Sequence, residues 1–376
     1  MQGVFQKIQE KIFISLILIL PFSCFLLTKL DVWHIQGYFA QLLILILYSF
    51  HLYSKSKPFA ILFLWAGIMT LFYCITTQIF MNQLPILLFL PFFNLVCIAV
   101  LFDIITKYAK KETYNTVLKW YPIILVIISI YAILQKLNLD QFFTYFYNPQ
   151  ISKDSIPQVD QVVGTIGNPM HFSHYLAICL PMVFCWKSEF RNTLIMFILL
   201  AIILTGTLSG LVIALLLIVF YSFYYKLFSI REICLFLILI VLFLLYKKPG
   251  LNLASDSGRF IVWKQYIEVF KEKPITGWGI GIINAFAGRA NTVFGGWRHL
   301  HNEFYHFTIE LGLVGLGIII WGIVDYFKYF KKDPVGLSIN CVFVGFLLCA
   351  LFGFPAHLWM LSTLGLMAYS YNYLEV

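Results

Sequence analysis

Residues able to do chemistry are concentrated in one polar stretch, between two long apolar runs in the last third of the chain. Arg259, Lys264, Arg289, Arg298, His299, His301, Asn302 and Glu303 fall there, with His306 and Glu310 following inside the next apolar run. A planar guanidinium gives paired hydrogen bonds to phosphate oxygens that an ammonium cannot imitate. Arg259 follows the helix-capping sequence Ser255-Asp256-Ser257, so its charge and the first backbone N–H groups of a helix could face one anion. An ordinary interfacial arginine against lipid headgroups would read the same way. An imidazole titrates near neutral pH, so a histidine here could serve as a general base or as a hydrogen-bonded loop residue. His306 and Glu310 are four residues apart and share a helix face. A carboxylate inside an apolar helix faces a cavity, the bundle interior or a partner. His299-Leu300-His301 with His306 matches no zinc signature, and no cysteine lies near it, so no metal is expected. A second polar stretch, Gly164-Thr165-Ile166-Gly167-Asn168-Pro169, turns directly into an apolar run, with Asn168 able to donate and accept hydrogen bonds.

The elements that must position these groups are membrane helices. Of the 376 residues, 61% are hydrophobic and 11% are charged, against roughly 25% charged in soluble domains. So few charges cannot cover a water-exposed surface. The net charge of +9 belongs to basic residues scattered between apolar runs, with no basic domain for nucleic acid. The eight cysteines lie in or beside apolar runs and form no CxxC pair, as core residues would.

A spanning helix needs ~20 apolar residues, and about twelve runs qualify. They lie near 12–29, 33–53, 59–79, 85–106, 120–137, 169–186, 192–208, 209–227, 232–247, 304–324, 335–353 and 357–374. The expected fold is an all-α polytopic transmembrane bundle, a single integral membrane domain over 1–376. With the N-terminus inside, inward loops carry fifteen Lys and Arg residues and short outward loops carry three, Lys29, Lys136 and Lys153. That asymmetry sets both termini in the cytoplasm. Two segments then face outward: 138–168 and a large loop, 248–303, which holds the active-site candidates. Within that loop Phe260, Trp263, Ile267 and Phe270 recur at helical spacing, predicting an amphipathic helix on the membrane surface that ends at Pro274. Gly277-Trp278-Gly279-Ile280-Gly281 follows as a flexible turn.

Three patterns together resemble the O-antigen ligase and polymerase superfamily of bacterial membrane proteins. Gly164 to Pro181 resembles its Gly–Asn-Pro segment leading into a spanning helix. Arg259 with Trp263, Pro274, Gly277, Gly279 and Gly281 resembles its Arg–Trp–Pro–Gly-x-Gly-x-Gly pattern. His301-Asn302 with Glu310-x-Gly312-x-x-Gly315 resembles its His-Asn…Glu-x-Gly-x-x-Gly run. The resemblance implies a metal-independent, inverting glycosyltransferase without cofactor, in the bacterial cytoplasmic membrane, whose site faces the exterior. Its partners would be membrane lipids, an undecaprenyl-diphosphate-linked glycan and a lipid or glycan acceptor. Arg259 would bind the diphosphate and His301 would take or orient the acceptor proton. Asn168, Trp263, Lys264, Arg289, Arg298, Asn302 and Glu310 would line the substrate site, with Trp263 and Phe270 in a lipid-facing wall. One departure stands out. Many members carry Ser-Arg-Gly in the hairpin that reads Thr207-Leu208-Ser209-Gly210 here. Either another cation, such as Arg289 or Arg298, takes over a second diphosphate contact, or the donor is held differently.

Ligation to lipid A core and polymerisation of repeat units use the same residues, and the His-Asn motif with compact loops leans toward ligation. A secondary transporter is the reading from another class. It fits poorly, because apart from Asp103 and Glu310 ionisable groups are sparse at mid-membrane and the halves show no repeat.

Overall fold

The computed structural model of the chain describes residues 109–137, 162–225, 259–275 and 299–372, together with residues 11, 101, 104, 105, 139, 228, 231, 234, 238, 277, 278 and 283. Among the described residues the fold is all-helical, with no strand. The helices are α1 (Lys111–Lys136), α2 (Pro169–Cys179), α3 (Pro181–Phe184), α4 (Arg191–Leu204), α5 (Leu208–Tyr225), α6 (Arg259–Glu272), α7 (Glu303–Lys328), α8 (Pro334–Phe352) and α9 (Trp359–Tyr371), with a 3-10 turn at Pro355–His357 before α9. The expected runs at 12–29, 33–53, 59–79, 85–106 and 232–247 lie wholly or mostly outside the described residues, as does much of 138–168 and 248–303.

Three helices, α1, α5 and α8, are long and apolar enough to cross a membrane. A fourth span is α7 if its two parts, Glu303–Gly317 and Ile319–Lys328, count as one despite a 51° bend. The chain is therefore a helical membrane protein. Boundaries depart from the sequence expectation in two informative places. α1 begins at Lys111, well before the apolar run at 120, because hydropathy does not count its polar first turns. There Thr113 Oγ1 accepts from the Lys110 N–H at 3.1 Å, which satisfies a helix-end donor. The run at 169–186 is not one helix but two, split at Pro181, whose ring removes a backbone donor and blocks the preceding turn.

α8 sits at the centre, packed against α2, α3, α5 and α9, while α1 packs on α4. The buried core holds Leu125, Ile128, Leu176, Leu180, Ile198, Leu217, Val342 and Leu361. Several polar groups inside it are paired, as burial favours. Tyr121 Oη and Tyr175 Oη lie 2.7 Å apart, the Tyr114 hydroxyl donates to the Met367 carbonyl at 3.0 Å, and the Ser338 hydroxyl donates to the Pro181 carbonyl.

The bundle has two chemically distinct ends. At one, α5 and α7 run out beside the start of α8: Tyr225 donates to the Lys332 carbonyl at 2.5 Å, Asn340 to the Lys331 carbonyl at 2.7 Å, and Lys331 lies over the Tyr371 ring at 4.8 Å. At the other end the starts of α2, α5, α6 and α7 meet the end of α8 and the 3-10 turn. Among the described helices, the ends of α5 and α7 thus share one end of the bundle with the start of α8, and the starts of α2, α5, α6 and α7 share the other.

α6 is the amphipathic helix expected from the loop, but its buried face differs. Val262 and Tyr266 are buried, and with Ile283, Leu300 and Ile309 they form a second small core against which Trp263, Val269 and Phe270 pack. Phe260 and Ile267 remain 66% and 42% exposed. Trp263 and Phe270 are therefore braces toward the protein, and the exposed apolar line is Phe260, Ile261 and Ile267. The reason is that α6 docks on α7, and this contact selects the 262–266–269 stripe.

Candidate active site

Asn168 and Asn302 start the two helices that deliver the site. Asn168 Oδ1 accepts from the backbone N–H groups of Met170 at 2.9 Å and His171 at 3.2 Å. Asn302 Oδ1 accepts from the Tyr305 N–H at 2.9 Å. Both carry the helix-capping role that short polar side chains fill at N-termini. Pro169 follows Asn168 at the first helical position, where its missing donor costs nothing.

Arg259 opens α6. Its Nη1 donates to the Phe352 carbonyl at 3.4 Å and its Nη2 approaches Met170 Sδ at 3.9 Å. The guanidinium thus spans from the end of α8 to the start of α2. His301 takes a left-handed backbone conformation, φ +52°, which lets the chain turn sharply before Asn302 caps α7. Burial first, and then the positive charge of Arg259, push the His301 pKa from 6.5 down to about 4. Arg259 and His301 are close enough to act on one another, and both lie within electrostatic reach of His174. A neutral, weakly basic imidazole accepts a hydrogen bond from a hydroxyl more readily than it takes the proton outright.

Phe354 stands at the middle. Its ring stacks on His299 at 4.3 Å and meets His301 at 5.0 Å and His171 at 4.9 Å. On the far side of His299, its ring centroid is 5.9 Å from that of His306 and 4.9 Å from that of His357, and the last two are 4.5 Å apart. Two carboxylates hold this group. Glu303 Oε1 is 2.8 Å from His357 Nδ1, and Glu310 Oε1 is 3.3 Å from His306 Nε2. Burial works against a proton on His357, but the Glu303 charge and hydrogen bond, with Glu310 behind them, outweigh it and raise its pKa. His299 goes the other way: burial and then four neighbouring imidazoles, His357 foremost, hold its pKa well below the ordinary value.

α6 is fastened to this group by side chain and backbone. The Trp263 indole donates to the Leu300 carbonyl at 2.7 Å, and the Tyr305 hydroxyl donates to the Trp263 carbonyl at 2.7 Å. After α6, the Leu313 and Val314 N–H groups donate to the Pro274 and Ile275 carbonyls at 2.9 and 3.2 Å. These contacts are open because α7 breaks its helical geometry at Gly312, φ +65°. Gly277, φ +68°, faces it so closely that a Cβ would sit 2.4 Å from the Glu310 carbonyl oxygen. Two glycines from separate sequence patterns thus touch backbone to backbone.

Of the residues singled out by sequence, Arg259, His301, Trp263, Asn302, Glu310 and Asn168 fall in this one neighbourhood. Lys264 lies on the exposed side of α6. Arg289 and Arg298 lie outside the described residues. In the hairpin that lacks the family's arginine, Ser209 Oγ is 2.8 Å from His174 Nε2, and a Cβ on Gly210 would meet Ser173 Oγ at 2.5 Å. Sequence reasoning missed His357, Phe354 and the pairing of Glu303. His357 sits where an apolar span seemed to begin, and only the Gly353-Phe354-Pro355 break marked it as different.

The class defined here is a helical membrane protein with a cluster of His and Glu, flanked by the half-buried Arg259, at one end of its bundle. The O-antigen ligase family model matches residues 176–320. The chain is O-antigen ligase-like over that stretch, which includes Arg259, Trp263, His301, Asn302 and Glu310 and leaves Asn168, His171 and His357 outside. No curated protein matches the chain.

Proposed function

We propose that the chain is a glycosyltransferase of the O-antigen ligase type. It moves a glycan from undecaprenyl diphosphate to an acceptor hydroxyl on the periplasmic side of a bacterial cytoplasmic membrane, with lipid A core as acceptor. The observation that supports this reading is that Arg259, at the start of α6, lies within electrostatic reach of His301, just before α7, at the end of the bundle where α2 and α5 also begin. Partial positive charge at four helix starts and one guanidinium suits a diphosphate. The family match over 176–320 supports a lipid-linked glycan donor and an acceptor in general terms.

In this mechanism Arg259 binds the diphosphate and stabilises the negative charge that grows as the anomeric carbon–phosphate oxygen bond breaks. His301 accepts a hydrogen bond from the acceptor hydroxyl and aims its oxygen at the anomeric carbon from the opposite face. The new glycosidic bond forms with inversion as the bond to the diphosphate breaks, and the hydroxyl proton, made acidic as the new bond forms, passes to His301 only late in the step and on to water. Fixed cations supply the charge stabilisation, so no step needs a metal. Glu303 and Glu310 act behind the reacting groups by holding imidazoles in place.

The test is transfer from a purified polyprenyl-diphosphate glycan by protein in detergent or nanodiscs. Arg259→Ala and His301→Ala should each lower transfer by at least ~100-fold, the scale of lost charge stabilisation or acid–base help, while the chain stays folded in the membrane. Arg259→Lys should remain impaired, because an ammonium cannot make the paired contacts. Near-normal transfer by Arg259→Ala would remove the diphosphate assignment. Offering a core-lipid acceptor and a repeat-unit acceptor side by side separates ligation from polymerisation. Flux of a labelled solute in proteoliposomes without any glycan product would favour a transporter.

A further inference from the structure

Behind the Arg259–His301 pair lies a group that the proposed transfer does not use. One ring nitrogen from each of His299, His306 and His357 lies within 4.8 Å of the others. Each comes from a different piece of chain: the loop before His301, the first turns of α7, and the 3-10 turn before α9. Carboxylates occupy one nitrogen on two of the rings, Glu303 at His357 Nδ1 and Glu310 at His306 Nε2. That leaves Nε2 of His357 and Nδ1 of His306 as the atoms these rings have to offer. His306 is 1% exposed, and its Nδ1, like Nδ1 of His299, is buried with no hydrogen-bond partner among the described residues.

Metal-bound histidines characteristically give their second ring nitrogen to a carboxylate, which fixes the tautomer and strengthens the ligand. Both pairs here have that form. The charges agree as well. Glu303 and Glu310 are 4% and 1% exposed, and buried carboxylates need compensating positive charge. A dication among the three imidazoles would balance them.

We propose that His299, His306 and His357 form a binding site for a divalent transition metal of the zinc class, with Glu303 and Glu310 orienting two of its ligands. Imidazole ligands suit zinc, and three protein ligands leave a fourth position for water. Tetrahedral coordination at ~2.0 Å puts ligand nitrogens about 3.3 Å apart, so the ring nitrogens close by up to about 1.5 Å on binding. The metal clasps the His301 loop to α7 and to the turn before α9. It therefore positions His301 and takes no part in bond breaking. The inference stands apart from the glycosyltransferase reading, since metal binding is measured without donor or acceptor.

The experiment uses the full chain, purified in nanodiscs, stripped with a chelator and equilibrated with micromolar free zinc. Elemental analysis should find one zinc per chain. His306→Ala and His357→Ala should lose it, and Glu303→Gln should bind about 10–100-fold more weakly. Replacing a buried histidine can unfold a protein, so cobalt(II) on the unaltered chain tests the site without any variant. An intense tetrahedral d–d absorption with nitrogen ligands supports the site. A weak octahedral spectrum, or a sulfur-to-cobalt charge-transfer band marking capture by cysteines, overturns it. Equal zinc content in folded His306→Ala and the unaltered chain overturns it too.

Discussion

At the scale of single residues, much of what looked like binding chemistry turns out to be helix capping. Asn302 directly follows His301, yet its side-chain oxygen is committed to the Tyr305 N–H at 2.9 Å. Capping and substrate binding make different predictions. Asn302→Asp keeps the acceptor and should leave thermal stability within a few tenths of a kcal/mol. Asn302→Ala should cost about 1 kcal/mol, read as a lowered melting temperature in detergent, with transfer falling only as far as the His301 turn loosens. An Asn302→Asp protein that melts normally but transfers nothing would show that the amide, not the cap, is what matters. Trp263 belongs to the same lesson. Aromatic residues in a polar loop suggest a substrate wall, but its indole is spent on the Leu300 carbonyl.

At the scale of elements, the informative contact is between the turn after α6 and the break in α7. Gly277 and Gly312 both hold positive φ, and the space between them excludes a methyl group. Gly312→Ala should destabilise the chain by about 1–2 kcal/mol from the left-handed backbone alone, and by more from the clash with the Ile275 carbonyl. Thermal denaturation checks this, and α6 should become more accessible to protease. No change in melting temperature would mean that the two segments separate readily. How far the sequence reached is visible here. Arg259, His301 and the glycine patterns were legible because polar residues between apolar runs stand out. The buried stripe of α6 was not, since helical spacing shows which residues share a face but not which face meets a neighbour. His357 was hidden for the opposite reason. It lies among apolar residues, where hydropathy assigns it to a span and only the fold carries it to Glu303.

At the scale of the whole molecule, the described helices leave two chemically different ends. Lys331, Lys332 and Asp333 lie between α7 and α8 at one end, and the Arg259–His301 neighbourhood lies at the other. Sidedness in the cell is then a separate, measurable matter. A cysteine introduced at position 290 should react with a membrane-impermeant thiol reagent in intact cells, and one at position 110 should react only after the membrane is opened. Equal labelling of both would reverse or dissolve the proposed orientation. The orientation expected from lysine and arginine counts depends on no packing detail, so this experiment tests it directly.

Phe354 has a consequence of its own. Its ring carries no polar atom, yet it touches His171, His299 and His301 at once. The spacing among three titratable groups is thereby gauged by a piece of hydrocarbon that never exchanges a proton. Trimming that ring, even to leucine, would reset all three imidazoles together while leaving every chemically reactive side chain intact.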